Sequence, residues 1–380
     1  MNRAQTPQIL GDLGKKLVFL VGPRQVGKTW LAKALSAGFQ RPVYLNWDSL
    51  TDRRVIRTEG WLRSTDLLVL DEIHGMLEWK QFLKGVFDTK PEGQQILVTG
   101  SARLDFIRQG GASLAGRFFV HRLLPFSPSE VAGADSTTIL SDPDLALERL
   151  LERGGFPEPF LADDPLEAER WRRSYIDGLI REDVLDFERI HDLAAMKTLL
   201  ELLRRRVGSL VSYQSLSEDL SVSPNTVKKY ISILEALYIV FRVTPWSDSV
   251  ARSLLKAPKL YFYDVGLVAG DEGARFENLV ALSLLKHALS LTDRTGSDNV
   301  LHYIRTKEGR EVDFFLSRDH RPVQLIEAKL SETDFSPALR TFSGSLSVPG
   351  VQVVRDLRHE RQQGTLQLRR AATWLAELEP

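Results

Sequence analysis

The apolar positions of this chain fall into runs, stripes and alternations, and each pattern predicts an element. Leu17-Val18-Phe19-Leu20-Val21 is an unbroken apolar run stopped by Gly22-Pro23, the pattern of a buried strand. From Lys28 onward Trp30, Leu31, Ala32 and Leu35 recur at helical spacing, so a loop rich in glycine joins a strand to a helix. Further strands are expected at Pro42–Trp47, at Leu67–Leu70, at Ile96–Ser101 and at Phe118–Leu124. Ser127-Pro128-Ser129-Glu130 has the order of a helix start, with serine at the N-cap, proline at the first position and glutamate at the third.

Beyond a polar, small-residue stretch at Val131–Asp144, read as a linker, helical stripes dominate through Arg206. Leu147, Leu150 and Leu151 form one stripe, and Met196, Leu199, Leu200 and Leu203 another, both expected to pack against neighbouring protein. Arg181 and Arg204-Arg205-Arg206 are read as solvated helix faces in preference to a contact with nucleotide or DNA. From Ser212 the pattern becomes helix, short turn, helix and strand. Ser212 caps Tyr213–Leu220, Ser221-Val222 turns, and Ser223-Pro224 opens a helix whose buried stripe is Val227, Ile231, Leu234 and Leu237. Tyr238–Trp246 then alternates as a wing strand would, which together is the pattern of a winged helix-turn-helix. The last part predicts a helix from Phe276-Glu277-Asn278 to His287, then strands at His302–Arg305, Arg310–Leu316 and Val323–Leu330.

Composition narrows the class. With 380 residues and 43% hydrophobic content the chain is long enough for two or three cores. It contains no cysteine, which excludes disulfides and thiolate metal sites and fits a reducing compartment. Formal net charge is +0, so contact with nucleic acid has to come from local patches. No apolar run approaches the ~20 residues that span a bilayer, and Met1–Gln8 lacks the core of a signal peptide, so no membrane partner and a cytoplasmic location are expected.

The chemistry begins at Gly22-Pro23-Arg24-Gln25-Val26-Gly27-Lys28-Thr29, a G-x-x-x-x-G-K-T segment between strand and helix, followed by Trp30. Such a loop turns backbone N–H groups around the phosphates of ATP, with Lys28 on the β/γ oxygens and the Thr29 hydroxyl on Mg²⁺. Asp71 and Glu72 end the Leu67–Leu70 strand. In a phosphate-loop fold Asp71 sits on the Mg²⁺ shell and Glu72 polarises the attacking water. Thr99 and Ser101 end the next strand, where a hydroxyl either contacts the γ-phosphate or caps a turn. Arg117 lies in the loop entering the Phe118 strand. There an arginine either reaches a neighbouring subunit's phosphates in trans or is an ordinary surface side chain.

On the second helix of the middle region, Asn225, Thr226, Lys228 and Lys229 lie off the apolar stripe near the N-terminal end, where a recognition helix presents side chains to DNA. Residues 201–260 hold nine Lys and Arg against five Asp and Glu, a surplus of four (9 − 5) that supports contact with the DNA backbone; a winged helix used only for packing is the alternative. Towards the C-terminus, Asp313 precedes Glu327-Ala328-Lys329, and a strand period of two puts Glu327 and Lys329 on one side. Two carboxylates and a lysine in that arrangement suit a metal held by Asp313 and Glu327, with Lys329 orienting water.

The phosphate loop, the strand ending in Asp71-Glu72, the Thr-Gly-Ser strand end and Leu114-Ala115-Gly116-Arg117 resemble a bacterial and archaeal AAA-type ATPase. Nearly the whole chain resembles the prokaryotic family that fuses such an ATPase to a C-terminal domain of unknown function. That likeness includes Gly154-Gly155-Phe156-Pro157-Glu158 and Lys259-Leu260-Tyr261-Phe262-Tyr263-Asp264-Val265-Gly266-Leu267, two segments to which the residues alone assign no chemistry. Glu277, Asp313 and Glu327-x-Lys329 resemble the PD-(D/E)xK restriction-endonuclease-like family, within which Holliday-junction resolvases also use a helix glutamate. That resemblance adds Glu277 to the metal ligands. The same fold also serves as a catalytically silent clamp. The expected architecture is therefore α/β: a P-loop AAA-type ATPase core at 1–130, a helical linker or lid at 131–206, a winged helix-turn-helix at 207–250 and a nuclease-like α/β domain at 251–380. The implied function is ATP hydrolysis with Mg²⁺ by a homo-oligomeric ring, expected as a hexamer, acting on DNA. A nucleotide-controlled switch or scaffold is the alternative.

Overall fold

The computed structural model describes residues 3–100, 114–132, 140–183, 192–247, 257–332 and 334–379, arranged as two compact units, 1–124 and 125–380. In the first unit the elements are α1 (Thr6–Leu13), β1 (Leu17–Val21), α2 (Lys28–Ser36), β2 (Pro42–Asn46), α3 (Leu50–Arg57), β3 (Leu67–Asp71), α4 (Trp79–Thr89), β4 (Gln95–Gly100) and β5 (Phe118–Arg122). Among the described residues they form a five-stranded sheet in the order β2-β3-β4-β1-β5, paired in parallel throughout. Strands of a parallel sheet are covered on both faces, which is why β1 and β3 read as continuous apolar runs and are buried at every position. Phe19, Leu68, Leu70, Leu83 and Val98 lie in one core with the ring of Phe118 set edge-on to Phe19 at 5.2 Å. Parallel pairing also gives the sheet a direction. The loop after β1, the end of β3 and the end of β4 share its C-terminal edge, while Arg117, just before β5, belongs to the opposite edge, where its carbonyl accepts from Leu17 N–H.

The second unit begins before the expected boundary at 130. Ser127 occupies the N-cap of α5 (Pro128–Val131), with Pro128 and Glu130 in its first turn as expected; the Ser127 hydroxyl meets Ser129, and Glu130 forms a buried ion pair with Lys286. Helices α6 (Pro143–Arg153), α7 (Pro157–Leu161), α8 (Pro165–Gly178) and α9 (Leu193–Arg204) follow, with both expected stripes buried. Residues 133–139 of the expected linker, and Ser101 and Ser113, lie outside the described residues.

Next come α10 (Tyr213–Leu220), α11 (Pro224–Ala236), β6 (Val240–Pro245), β7 (Lys259–Phe262), α12 (Glu272–Thr295), β8 (Asn299–Arg305), β9 (Glu311–Arg318), β10 (Arg321–Lys329), α13 (Pro337–Leu346), β11 (Gly350–Val354), β12 (Arg361–Gln363), β13 (Leu366–Arg370) and α14 (Ala371–Glu377). The helices capped by Ser212 and Ser223 start where the sequence places them, each serine accepting a first-turn N–H. Ser221, in left-handed backbone, makes the turn between them. Among the described residues the strands form a sheet in the order β12-β13-β11-β10-β9-β8-β6-β7. β6 pairs antiparallel with β7 and parallel with β8, so the sequence boundary at 250 falls between two strands of one sheet.

The two segments without assigned chemistry meet in this unit. The Arg172 guanidinium donates to the Asp264 carboxylate at 2.7 Å, with side chains 5% and 2% exposed. Glycine is required on both sides of the pair. A Cβ at Gly154 would lie 1.9 Å from Asp264 Oδ1, and one at Gly266 2.0 Å from the guanidinium. Through Arg172, which also donates to the Arg153 carbonyl, the end of α6 and the turn after β7 are brought together.

Candidate functional site

Backbone conformation shapes the loop between β1 and α2. Gly27, at φ +98°, is the N-cap of α2, and Gly22, at φ +152°, passes so close to the chain that a Cβ would stand 2.1 Å from the Leu123 carbonyl oxygen. Val26 is fully buried and anchors the loop, while Arg24 and Gln25 point to solvent, Gln25 in left-handed backbone. Lys28 is 6% exposed and its ammonium folds back over the loop, donating to the carbonyls of Gly22 at 3.0 Å and Pro23 at 2.6 Å. Thr29 opens the first turn of α2, and Trp30 beside it is 48% exposed.

Facing the loop, Asp71 closes β3 and is 2% exposed. The Thr29 hydroxyl donates to Asp71 Oδ2 at 2.9 Å, so these side chains, from neighbouring parts of one sheet edge, converge. Two further hydroxyls reach the same carboxylate. Thr99 donates to Oδ1 and Tyr44, on β2, to Oδ2. Thr99 thus supports Asp71 in this arrangement. Tyr44 was missed by the sequence reading; its only signal is the position two residues before the end of a strand adjacent to β3. Burial, and then the hydrogen bond and charge of Asp71, push the Tyr44 phenol well up from its ordinary pKa.

Glu72 leaves the strand in left-handed backbone, φ 54° and ψ 27°, and its carboxylate lies 3.1 Å from His74 Nδ1. Arg117 is engaged within its own unit. Its guanidinium makes a two-pronged pair with Asp88 of α4, Nε to Oδ1 at 2.8 Å and a second nitrogen to Oδ2 at 3.3 Å. Both side chains are about one-third exposed, 32% and 40%, and exposed pairs of this kind are weak.

Residues 14–132 match the family model described as an AAA domain. With the loop and the parallel sheet, that match makes the first unit an AAA-type P-loop ATPase domain. Residues 144–273 match a family described as Domain of unknown function (DUF8612), and residues 272–369 one described as Domain of unknown function (DUF4143). The chain is 24% identical over 350 residues to an uncharacterized protein of Mycobacterium tuberculosis, covering 90% of this chain and 77% of that one. It is 23% identical over 363 residues to an uncharacterized protein of Methanocaldococcus jannaschii, covering 87% and 79%. Among solved structures it is similar to a Walker-type ATPase of Pyrococcus abyssi, at 14% identity and TM-score 0.43 over 70% of this chain and 93% of that one. A Thermotoga maritima RuvB Holliday junction branch migration motor aligns at 16% identity and TM-score 0.31, over 63% and 85%.

The second unit brings the C-terminal candidates together. β9 and β10 are antiparallel with Phe314 opposite Ile326, which sets Asp313 beside Glu327. Asp313 accepts from Ala328 N–H at 3.0 Å, and Lys329 Nζ lies 2.9 Å from Glu327 Oε1. Glu277, on α12, accepts from the Tyr261 hydroxyl at 2.7 Å and lies 3.6 Å from Lys259 Nζ. Burial, and next the charge of Asp313, raise Glu277 and Glu327 each to about 7. Lys259 and Tyr261 escaped the sequence reading because they lie on β7, far from the Glu-x-Lys motif in the chain. Among the described residues no group of three His, Asp or Glu side chains is placed to hold a metal ion; Lys329 and Lys259 pair with Glu327 and Glu277, and the Ala328 N–H with Asp313.

On α11, Asn225, Lys228 and Lys229 are exposed, whereas the Thr226 hydroxyl turns to the Ser223 cap at 2.9 Å. Lys228 rests over the Tyr213 ring at 5.4 Å. Arg204 pairs with Glu201 and Arg206 with Asp219. No described helix is long and apolar enough to cross a membrane.

Proposed function

We propose that the chain hydrolyses ATP as a homo-oligomeric ring, expected as a hexamer, and acts on DNA. The observation that carries the hydrolytic part is the meeting of Thr29 and Asp71 at 2.9 Å, at the same sheet edge as the loop capped by Lys28. Mg²⁺ fits this donor set, a hydroxyl and a carboxylate beside a phosphate loop, and when bound supplies positive charge to the phosphate oxygens. Gly22 to Thr29 hold the nucleotide's phosphates, Lys28 exchanging loop carbonyls for phosphate oxygens. Glu72 accepts a proton from, or orients, the attacking water. Arg117 lies at the opposite edge of a parallel sheet from its own phosphate loop, which supports action on the site of a second copy.

DNA as partner is supported by the order of elements in the second unit. Helix α9, the bridge from Leu210 to Lys259, α10, α11 and the β6–β7 pair follow one another as in a winged helix, with Asn225, Lys228 and Lys229 exposed on α11. The convergence of Glu277, Asp313, Glu327 and Lys329 supports a nuclease-like module on the same partner. The module is read as a DNA clamp, the catalytically silent alternative to a metal-dependent nuclease.

The test is ATP turnover by the purified chain without DNA and with single-stranded, duplex and four-way-junction DNA. The reading requires turnover that rises with DNA, and DNA binding that weakens with salt. Turnover indifferent to DNA, without salt-sensitive binding, leaves the nucleotide-controlled switch or scaffold. Cleavage of labelled DNA with Mg²⁺ or Mn²⁺, lost in Asp313→Ala, Glu327→Ala and Lys329→Ala while ATP hydrolysis persists, would replace the clamp with a nuclease.

A further inference from the structure

We propose that Tyr44 is a positioning residue for the magnesium site, its hydroxyl orienting the Asp71 carboxylate. The inference rests on the reading of Thr29 and Asp71 as the side chains that hold Mg²⁺, and adds the residue that sets how Asp71 is presented. The last torsion of an aspartate side chain is broad, so its carboxylate keeps one direction only if partners hold it there. Among the described residues those partners come from three elements. Thr29 of α2 donates to Oδ2 at 2.9 Å, Tyr44 of β2 donates to the same oxygen, and Thr99 of β4 donates to Oδ1. A carboxylate accepts about four hydrogen bonds, two at each oxygen. Oδ2 is therefore filled while Oδ1 keeps capacity for a further partner, an asymmetry that the Tyr44 hydroxyl creates.

The sheet and α2 bring Tyr44 to that place. β2 and β3 pair in parallel with Tyr44 opposite Val69 and Asn46 opposite Asp71, and β4 sets Thr99 opposite Asp71. With a strand period of two, Tyr44, Asp71 and Thr99 share one face of the sheet, and the long phenol spans the two-residue offset along β2. Lys33, one helical turn beyond Thr29 on α2, sets its ammonium over the Tyr44 ring at 4.9 Å. Asp71 is buried, so hydrogen bonds to its charge are the strong kind and hold it firmly. Thr29 is itself assigned to the metal, and Thr99 holds the other oxygen. That leaves Tyr44 as the donor whose assigned role is Oδ2 alone.

The experiment measures affinity of the full chain for a fluorescent ATP analogue in EDTA and across a Mg²⁺ titration, with ATP turnover and melting temperature, in the parent, Tyr44→Phe and Thr29→Val. Phenylalanine keeps the ring beneath Lys33 and removes only the hydroxyl. Tyr44→Phe is expected to bind the analogue in EDTA as the parent does, and to need about tenfold more Mg²⁺ or above for the half-maximal change in affinity and for half-maximal turnover. Saturating Mg²⁺ should recover most of the turnover. An unchanged Mg²⁺ midpoint in Tyr44→Phe overturns the proposal. So does an affinity loss that is equal with and without Mg²⁺ and comes with a lower melting temperature, which marks a merely structural role. A parental Mg²⁺ midpoint in Thr29→Val would instead remove the underlying reading of the metal site, whatever Tyr44→Phe does.

Discussion

The phosphate-loop site and the C-terminal carboxylate cluster both gather charged side chains at strand ends, yet they are held together in opposite ways. At the first, Asp71 faces three hydroxyl donors, and Lys28 lies against two carbonyls. Nothing of like charge opposes them in the described contacts. At the second, Glu277 and Glu327 are raised to about 7 by burial and by the charge of Asp313, with Lys259 and Lys329 offsetting part of the repulsion. The first site is satisfied and can exchange its internal partners for a ligand; the second keeps a residual repulsion that a further cationic or hydrogen-bonding partner would reduce. A stable, pre-assembled arrangement and a strained one thus occupy two units of one chain.

The comparison breaks most sharply at Lys28. Lys28→Ala should abolish nucleotide binding, measured as loss of the fluorescent-analogue signal, while DNA binding by the second unit persists. Loss of both together would mean that the two sites are not separable.

Arg117→Ala should bind ATP and fail to turn it over, by a factor of about a thousand where such an arginine acts in trans. Mixing it with Glu72→Gln should restore part of the activity, because one intact composite site forms between the two variants. A mixture that assembles and stays inactive removes the trans role and leaves Arg117 as the partner of Asp88. Lys228→Ala/Lys229→Ala should weaken DNA binding for every sequence and flatten its salt dependence by up to about two units of slope. An unchanged slope would make α11 a packing element.

The smallest effect concerns the strained site. Between about 4.5 and about 7 the folded state keeps protons on Glu277 and Glu327 that the unfolded chain releases. Stability contributed by these groups is therefore present at low pH and lost as pH rises through about 7. Glu277→Gln keeps an acceptor for Tyr261 and removes the charge, so above pH 7 it should melt higher than the parent, by about 3 °C if the gain is on the order of 1 kcal/mol. The difference should shrink towards pH 5 in calorimetry. A variant that melts lower at pH 8 would show that the Lys259 pairing outweighs the repulsion.

How far each site was legible follows from how it is encoded. Gly22 to Thr29 are contiguous, their chemistry is local, and the runs on either side predict the strand and helix that frame them. Tyr44 is not marked by any pattern: it is recognised by strand order β2-β3. At the C-terminus the order Glu277, Asp313, Glu327, Lys329 was readable, but Lys259 and Tyr261 enter through β7, which joins that sheet by way of β6. Pairing between distant strands is also why a boundary expected at 250 divides one sheet. Helix starts were legible at Ser127, Ser212 and Ser223, but only the latter two serines accept a first-turn N–H, while Glu130 in the first turn after Ser127 pairs with the buried Lys286.

The central claim is that the first unit hydrolyses ATP with Glu72 as the group that acts on water, and single-turnover hydrolysis by Glu72→Gln tests it most directly. Radiolabelled ATP and Mg²⁺ are mixed with an excess of the variant, and bound nucleotide and released phosphate are followed together. The account predicts ATP retained at the parent's affinity and phosphate release slowed by about a hundredfold or more. Phosphate released at the parent's rate would contradict it.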